Sequence, residues 1–278
     1  MNSIQKRSLL ITLVFAIQYG LMVQFPKTLP IVLVLMLATN IFSLFYFFKV
    51  KTEKSEMLAS LRFLILPILF NFGALFFVQS VVQTTISYAL VVAVLFADFF
   101  LFVALKRVFN LAESAAVFQR NVVISVAFLS VFFSLSAIFR FYVTYSINPS
   151  FQFPLLAVVL STGIIFYLVS YFLAWENGLP LNKFRPYNLV ISLLGAETAW
   201  ISSLWIVSYP VFSSYEKAGL AGTPLPAIVL TIIFYFTWGI ISHKADRSLT
   251  RNVFFEYIIL TITFLLVLFI SAKWLPQM

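Results

Sequence analysis

The chain of 278 residues contains no cysteine and a single histidine, and only 10% of its residues are charged. The absence of cysteine excludes a disulfide framework, a thiolate metal site and a cysteine nucleophile. One histidine excludes a metal site built from several histidines and a haem held by two of them. Soluble domains carry about 25% charged residues, so the low charge excludes a soluble globular domain. We therefore expect no metal and no cofactor.

Motifs of the common nucleotide-binding and hydrolytic enzymes are also missing. The chain has no glycine-rich loop followed by Lys and Ser or Thr, no His-Glu-x-x-His and no Gly-x-Ser-x-Gly. These absences exclude a P-loop ATPase, a zinc protease of that type and an α/β-hydrolase. We therefore assign no catalytic residue, although carboxyls inside the membrane leave an intramembrane enzyme open.

Long apolar runs dominate what the chain does contain. Hydrophobic residues make up 62% of it, and the mean hydropathy is +1.04. A helix needs about 20 apolar residues to cross the hydrocarbon of a bilayer. The runs predict an all-α, polytopic integral membrane helix bundle of about nine transmembrane helices, with a single transmembrane domain over residues 1–278 and no soluble domain. The predicted spans cover residues 8–25, 29–48, 62–82, 85–105, 121–142, 152–175, 187–208, 225–242 and 253–272.

Short polar or proline-containing segments separate the runs. Pro26 and Pro30 punctuate the first turn. Residues 82–85 contain no proline or glycine, and Gln83, Thr84 and Thr85 are the polar residues that predict the third turn. An unbroken run would be too long for one crossing. Residues 107–119 are either a short amphipathic segment on the membrane surface or an extension of the neighbouring helices. Residues 209–224 contain two prolines and two glycines, which predicts an external loop.

Lysine and arginine are distributed unequally between the two sides of the predicted bundle. Fourteen of the 18 fall on one side, three on the other, and Arg140 lies inside a span. Short loops rich in Lys and Arg stay in the cytoplasm. We therefore predict a cytoplasmic N-terminus and, with an odd number of spans, an external C-terminus. The basic side carries Lys6, Arg7, Lys49, Lys51, Lys54, Arg62, Lys106, Arg107, Arg120, Lys183, Arg185, Lys244, Arg247 and Arg251.

The formal net charge of +9 follows from these loops. Basic residues near an anionic leaflet attract lipid by about 1 kcal/mol each. This predicts the lipid bilayer as partner, with anionic lipid at the cytoplasmic face. The basic residues are spread over separate segments, which argues against nucleic acid as a partner. We expect the protein in the inner membrane of a prokaryotic cell.

Three ionisable residues stand inside predicted spans, where each costs roughly 2.5–3.5 kcal/mol on insertion scales. From the rise per residue, Asp98 lies ~12 Å and Glu197 ~16 Å from the inner edge, so their depths are similar. Arg140 lies ~30 Å from that edge, and we expect it to extend outward to the membrane surface.

Because the neighbours of Asp98 and Glu197 are apolar, we expect each acid either to pair with another helix or with water, or to stay protonated. Only Trp200 offers Glu197 a donor on its own helix. Two readings stay open: a polar site for a proton, a cation or a ligand, or hydrogen bonds that lock helices together. The polar residues that could pair with the acids are Gln18, Tyr19, Asn40, Ser43 and Asn71.

Small residues mark two helix faces. Ser125 and Ser136 share one face of the fifth span with Arg140, and Gly195 lies beside Glu197 together with two alanines. Small residues let helices approach closely, so we expect packing contacts on both faces. The candidates for substrate or ion binding are Asp98, Glu197, Arg140, Asn71, Ser136 and Trp200.

Three functions are compatible with this pattern. The acids at similar depth and the lack of a soluble domain favour a small permease or carrier. A non-catalytic scaffold or assembly subunit, packed against a partner membrane protein, is the first alternative. An intramembrane enzyme that acts on lipid or peptide through Asp98 and Glu197 is the second.

Overall fold

A computed structural model describes residues 3–48, 61–79, 84–110, 117–146, 155–206 and 225–271. Within these ranges the chain forms nine long helices and no strand, which confirms the predicted all-α fold. A 3-10 turn at Pro26–Thr28 precedes the second helix, and a π-helical turn at Leu44–Phe48 continues it. The helices are α1 (Ser3–Gln24), α2 (Leu29–Ser43), α3 (Arg62–Gln79), α4 (Thr84–Asn110), α5 (Val117–Ser146), α6 (Leu155–Glu176), α7 (Leu181–Ile206), α8 (Leu225–Ala245) and α9 (Arg251–Ser271).

Eight of the described helices are long and apolar enough to cross a membrane, so the chain is an integral membrane protein with several crossings. The exception is α7. Its 26 residues extend over about 39 Å and include Lys183, Arg185 and Glu197, but α7 is not among the helices with a long enough apolar stretch. The crossing predicted for this segment therefore stays a prediction.

The described turns between helices, at residues 25–28, 177–180 and 246–250, lie within connections that the sequence predicts. Pro26 opens the 3-10 turn, and the Thr28 hydroxyl donates to the Phe25 carbonyl at 2.6 Å. Pro30 lies in the first turn of α2, where its missing N–H removes no helical hydrogen bond. Gly178 follows α6 with a φ of 70°, a left-handed conformation that glycine adopts without a Cβ clash.

Two predicted connections are described only in part. α3 ends at Gln79, α4 begins at Thr84, and the two helices pack against each other, which confirms that the long apolar run forms two helices and not one. α4 continues to Asn110 and α5 begins at Val117. Both ends of residues 107–119 therefore belong to the neighbouring helices, which is the second of the two predicted alternatives. Residues 111–116 and the predicted external loop lie outside the described residues.

The helices group into two compact units, Met1–Ser130 and Val131–Met278. In the first unit α1 packs most extensively against α4, and α3 contacts α1, α2 and α4. Large aromatic side chains fill the core of this unit, among them Phe15, Phe70 and Phe102, which are fully buried. α1 buries residues spaced three or four apart, as expected for one face of a helix.

In the second unit α6 and α7 approach each other closely through glycines. A Cβ atom at Gly195 would overlap the ring of Phe166, and the Ser192 hydroxyl donates to the Gly163 carbonyl at 2.8 Å. This contact confirms the packing role predicted for the small residues of α7. Phe166 also packs edge-to-face on Phe234 of α8, with ring centroids 4.9 Å apart.

α9 packs on α8 at the margin of the second unit. Gly239 of α8 leaves room for the ring of Tyr257, which a Cβ atom there would overlap. Most other described side chains of α9 are exposed, including large apolar ones such as Ile259, Phe264 and Ile270. In water such a surface would promote association, whereas hydrocarbon solvates it, so this helix supports the assignment to a membrane.

Candidate functional site

Asp98 is fully buried near the middle of α4. Its Oδ1 atom accepts a hydrogen bond from Asn71 Nδ2 of α3 at 3.1 Å. Asn71 is also fully buried, so the contact is isolated from the surroundings of the protein. The partner of Asp98 thus comes from another helix, as its apolar neighbours along α4 predict.

Pro67 fixes the orientation of the Asn71 amide. The same Nδ2 atom donates to the Pro67 carbonyl, four residues earlier in α3, at 3.0 Å. A carbonyl can only accept, so the amide nitrogen must face Pro67, and its second hydrogen is directed to Asp98. The amide oxygen of Asn71 is therefore turned away from the carboxyl group.

Tyr19 of α1 completes the arrangement. Its hydroxyl donates to the backbone carbonyl of Asn71 at 3.1 Å and lies 3.4 Å from Asn71 Oδ1. The whole Tyr19 side chain is buried. Tyr19 therefore donates to Asn71, and Asn71 donates to Asp98. These hydrogen bonds connect α1, α3 and α4. These three residues are called the Asp98 cluster below.

One oxygen of the Asp98 carboxyl has no partner among the described residues. Oδ2 is buried, and no described donor lies within hydrogen-bonding distance of it. Buried polar groups are paired in the great majority of cases, because leaving one unpaired costs about 1–3 kcal/mol. The unpaired oxygen is therefore the feature of the cluster that points to a role beyond packing.

Further buried polar groups lie on α1 and α2 of the same unit. Ser8 of α1 donates to the Phe99 carbonyl of α4 at 2.9 Å. Gln18 Nε2 donates to Thr39 Oγ1 at 2.7 Å. The other buried atoms of this unit that have no hydrogen-bond partner among the described residues are Thr12 Oγ1, Gln18 Oε1 and Asn40 Oδ1.

Glu197 lies in a different setting from Asp98. Its side chain is exposed on α7 of the second unit. Leu193, Trp200 and Ile201 are exposed on the same helix. The structure thus places Glu197 and Trp200 on a helix surface and Asp98 in the core of the first unit. A site shared by both acids stays a prediction.

Arg140 and Ser136 lie on the part of α5 that belongs to the second unit. Ser136 is buried, and its hydroxyl has no hydrogen-bond partner among the described residues. Arg140 follows one turn later and is half-buried. A role in ligand binding for either residue stays a prediction.

The sequence predicts Tyr19 and Asn71 as partners for the acids, and the structure joins both to Asp98. Gln18 of α1 is also predicted from the sequence as a possible partner, whereas Ser8 and Thr12 are not. The signal for them is helical spacing, because intervals of four, three and four residues place side chains on one face of a helix. The residues of α1 that follow this spacing are Ser8, Thr12, Phe15 and Tyr19.

No group of three or more His, Asp or Glu side chains that could hold a metal ion occurs in the part of the chain that the structure describes. The Asp98 cluster offers one carboxyl, one amide and one phenol, a set suited to hydrogen bonding and proton exchange. Comparison of the chain with protein-family models, curated proteins and solved structures finds no match. The function is therefore argued from the site itself.

Proposed function

We propose that the protein is a small membrane carrier in which the Asp98 carboxyl binds and releases the coupling ion. One observation carries the proposal: Asp98 is fully buried, Asn71 holds one of its oxygens, and the other oxygen has no described partner. Ionisable residues inside membrane spans mark ion pathways and proton relays. Asp98 fits that description better than any other acid in the described residues.

The energetics support a functional role over a purely structural one. A hydrogen bond between membrane helices contributes ~0.6 kcal/mol on average. Inserting a carboxyl at the centre of a span costs roughly 2.5–3.5 kcal/mol. Asparagine at position 98 would connect α4 to α3 at a lower cost. The contact with Asn71 alone therefore does not explain an acid at this position, whereas exchange of a proton or cation does.

Reconstituted vesicles on a solid-supported membrane test the proposal. Currents are recorded when pooled small solutes are added to the wild-type protein at several pH values. We expect at least one pool to evoke a pH-dependent current that Asp98→Asn abolishes. The matched control is Glu197→Gln, which makes the same chemical change on an exposed surface and should preserve the current. A wild-type current that survives Asp98→Asn contradicts the proposal.

Glu197 favours a second candidate function, a scaffold or assembly subunit that binds a partner membrane protein. Its carboxyl is exposed among apolar side chains on α7. If this side chain faces hydrocarbon, no partner offsets the free-energy cost of inserting a carboxyl group into the membrane. A hydroxyl or basic side chain on a partner helix would pair with it. The exposed apolar residues around it are Leu189, Val190, Leu193, Leu194, Trp200 and Ile201.

Native mass spectrometry of protein extracted in mild detergent tests the second function. We expect the 31.7 kDa chain to appear in a complex of fixed stoichiometry. Glu197→Leu should release it from that complex, whereas Asp98→Asn should leave the complex intact. A wild-type chain that is recovered only by itself contradicts the scaffold function.

For location, we propose the inner membrane of a prokaryotic cell, with anionic lipid against the basic helix ends. Lys6, Arg120, Lys183 and Lys244 support this proposal because they are exposed near the predicted cytoplasmic ends of their helices. Each such residue attracts an anionic leaflet by about 1 kcal/mol. Binding to vesicles with and without phosphatidylglycerol, measured at two salt concentrations, tests the lipid preference.

A further inference from the structure

We infer that Thr12 of α1 and Asp98 of α4 hold a water molecule between them, and that this water passes a proton to Asp98. The two atoms that would bind it are Thr12 Oγ1 and Asp98 Oδ2. Both are buried, and neither has a hydrogen-bond partner among the described residues. Naming the coupling ion as a proton rests on the proposed function, whereas the water site stands independently of it.

Contacts on both sides of Thr12 bring it to the level of Asp98. Ser8, one turn before Thr12, donates to the carbonyl of Phe99, the residue next to Asp98. Tyr19, two turns after Thr12, is connected to Asp98 through Asn71. α1 therefore contacts the backbone of α4 next to Asp98 before Thr12, and it is connected to the Asp98 carboxyl through Asn71 after Thr12.

A third contact places Thr12 on the face of α1 that meets α4. Phe15, three residues after Thr12, stacks on Phe102 of α4 with ring centroids 6.2 Å apart. Phe102 lies four residues after Asp98 and so shares its helix face. Ser8, Thr12 and Phe15 share one face of α1 by their spacing, so the Thr12 side chain and the Asp98 side chain lie in the same interface.

The Thr12 hydroxyl is free for a ligand because its own helix does not use it. Threonines in helices commonly donate to the carbonyl four residues earlier. Thr12 Oγ1 makes no such bond, although the side chain is only 7% exposed. The described threonines that do make this bond are Thr39, Thr162, Thr198, Thr231 and Thr237.

Water fits the two atoms better than a metal cation does. A buried water typically makes about three hydrogen bonds to polar groups that have no other partner. A hydroxyl and a carboxyl oxygen supply two of them. Asn71 turns its amide nitrogen, and not its oxygen, toward the carboxyl. Hydrogens directed at the carboxyl oppose a cation there, because a cation needs oxygen ligands.

Few titratable groups of the described residues face Asp98. The elements that pack against α4 are α1, α3 and the π-helical turn after α2. Tyr19 of α1 is close enough to interact electrostatically with Asp98. The other titratable or charged side chains on these elements and on α4 lie toward the helix ends: Lys6, Arg7, Tyr46, Arg62, Tyr88, Lys106 and Arg107.

The proton step balances without a further reactant. A proton that reaches the bound water makes it a hydronium ion. When the hydronium ion gives a proton to Asp98 Oδ2, one O–H bond breaks on the ion and one forms on the carboxyl. The water is neutral again and stays hydrogen-bonded to the Thr12 hydroxyl. Release of the proton follows the reverse path.

Infrared difference spectroscopy of the purified protein in lipid nanodiscs, recorded across a pH titration, tests the water site. The carbonyl stretching band of protonated Asp98 is identified by its loss in Asp98→Asn. We expect Thr12→Val to shift this band to higher wavenumber, because removing the hydroxyl releases the water that is hydrogen-bonded to the carboxyl. Thr12→Ser retains a hydroxyl and should leave the band at the wild-type position.

The matched control is Thr162→Val, whose hydroxyl donates to the Val158 carbonyl of its own helix at 2.9 Å; it should not move the band. If Thr12→Val fails to fold, Thr12→Ala provides the same loss of hydroxyl. A band that keeps its position in a folded variant without the hydroxyl overturns the water site. Loss of the band when sodium replaces potassium at constant pH overturns the proton assignment. The vesicle currents decide the proposed function separately, since the band shift requires no transport.

Discussion

Asn71 holds Asp98 with an amide whose orientation the Pro67 carbonyl has already fixed. The nitrogen is 3.0 Å from that carbonyl and 3.1 Å from Asp98 Oδ1. The Asn71 amide is held in one orientation, so α3 presents a hydrogen-bond donor of defined direction to α4. The Tyr19 hydroxyl donates to the backbone carbonyl of Asn71, so that the three helices share one polar connection.

A double-mutant cycle measures this connection. Asn71→Leu leaves the carboxyl of Asp98 without its described donor, which we expect to cost about 1–3 kcal/mol of unfolding free energy. Asn71→Leu with Asp98→Leu removes both partners, and such paired replacements are nearly neutral. The two single changes should therefore be non-additive by about 0.5–3 kcal/mol. Reversible unfolding in mixed detergent micelles provides the free energies.

The control cycle pairs Asn71→Leu with Val92→Ala. Val92 lies on α4 as Asp98 does, but its side chain is exposed, so the two changes should add. Additivity in the Asn71–Asp98 cycle itself would show that the hydrogen bond contributes nothing to stability.

Close packing of α6 on α7 leads to a second prediction. Gly195→Ala places a Cβ atom against the ring of Phe166, and overpacking of this kind costs about 1–3 kcal/mol. Phe166→Leu in the same chain should restore part of the loss by removing the ring. The matched control is Gly20→Ala in α1, where no atom lies within 4 Å of the new Cβ. There we expect a gain of ~0.4–1 kcal/mol, and equal effects at both glycines would argue against the contact.

The neighbouring hydrogen bond between α6 and α7 should matter less. Ser192→Ala removes the donor to the Gly163 carbonyl, and bonds of this type contribute ~0.6 kcal/mol on average in membranes. The close approach at Gly163 does not depend on this bond alone, because a Cβ atom added there would also lie 3.5 Å from the Cβ atom of Ala196. In the same unfolding assay we therefore expect Ser192→Ala to be clearly milder than Gly195→Ala. The reverse order would mean that polar contact, and not close approach, stabilises this helix pair.

Bilayer thickness explains why the helices could be predicted from the sequence. A span must be long and apolar, and its ends are marked by proline or polar residues. The division of this run into α3 and α4 follows from length alone, although residues 80–83 contain no proline or glycine. The π-helical turn after α2 could not be predicted, since no residue in Leu44–Phe48 marks a departure from the α-helix.

The buried faces were harder to predict than the helices. In a soluble protein an apolar face is a buried face, but both lipid and protein core select apolar residues in a membrane. Phe96 and Phe102 illustrate this on α4, because one is 63% exposed and the other fully buried. For the same reason Asp98 and Glu197 have similar apolar neighbours in sequence, and only packing shows that the first is enclosed and the second exposed.

Membrane topology gives the last prediction, and the absence of cysteine makes it simple to test. Lys27→Cys lies in the turn before α2 and Asp246→Cys in the turn after α8, both exposed. Seven helices separate the two positions, so they should lie on opposite sides if α7 crosses the membrane. The excess of Lys and Arg on this side predicts that position 246 lies in the cytoplasm. In intact cells an impermeant maleimide should label Lys27→Cys alone, and permeabilised cells should show labelling of both. If both react in intact cells, an even number of crossings separates them and α7 lies outside the membrane core. If only Asp246→Cys reacts, the orientation is the reverse of the one predicted.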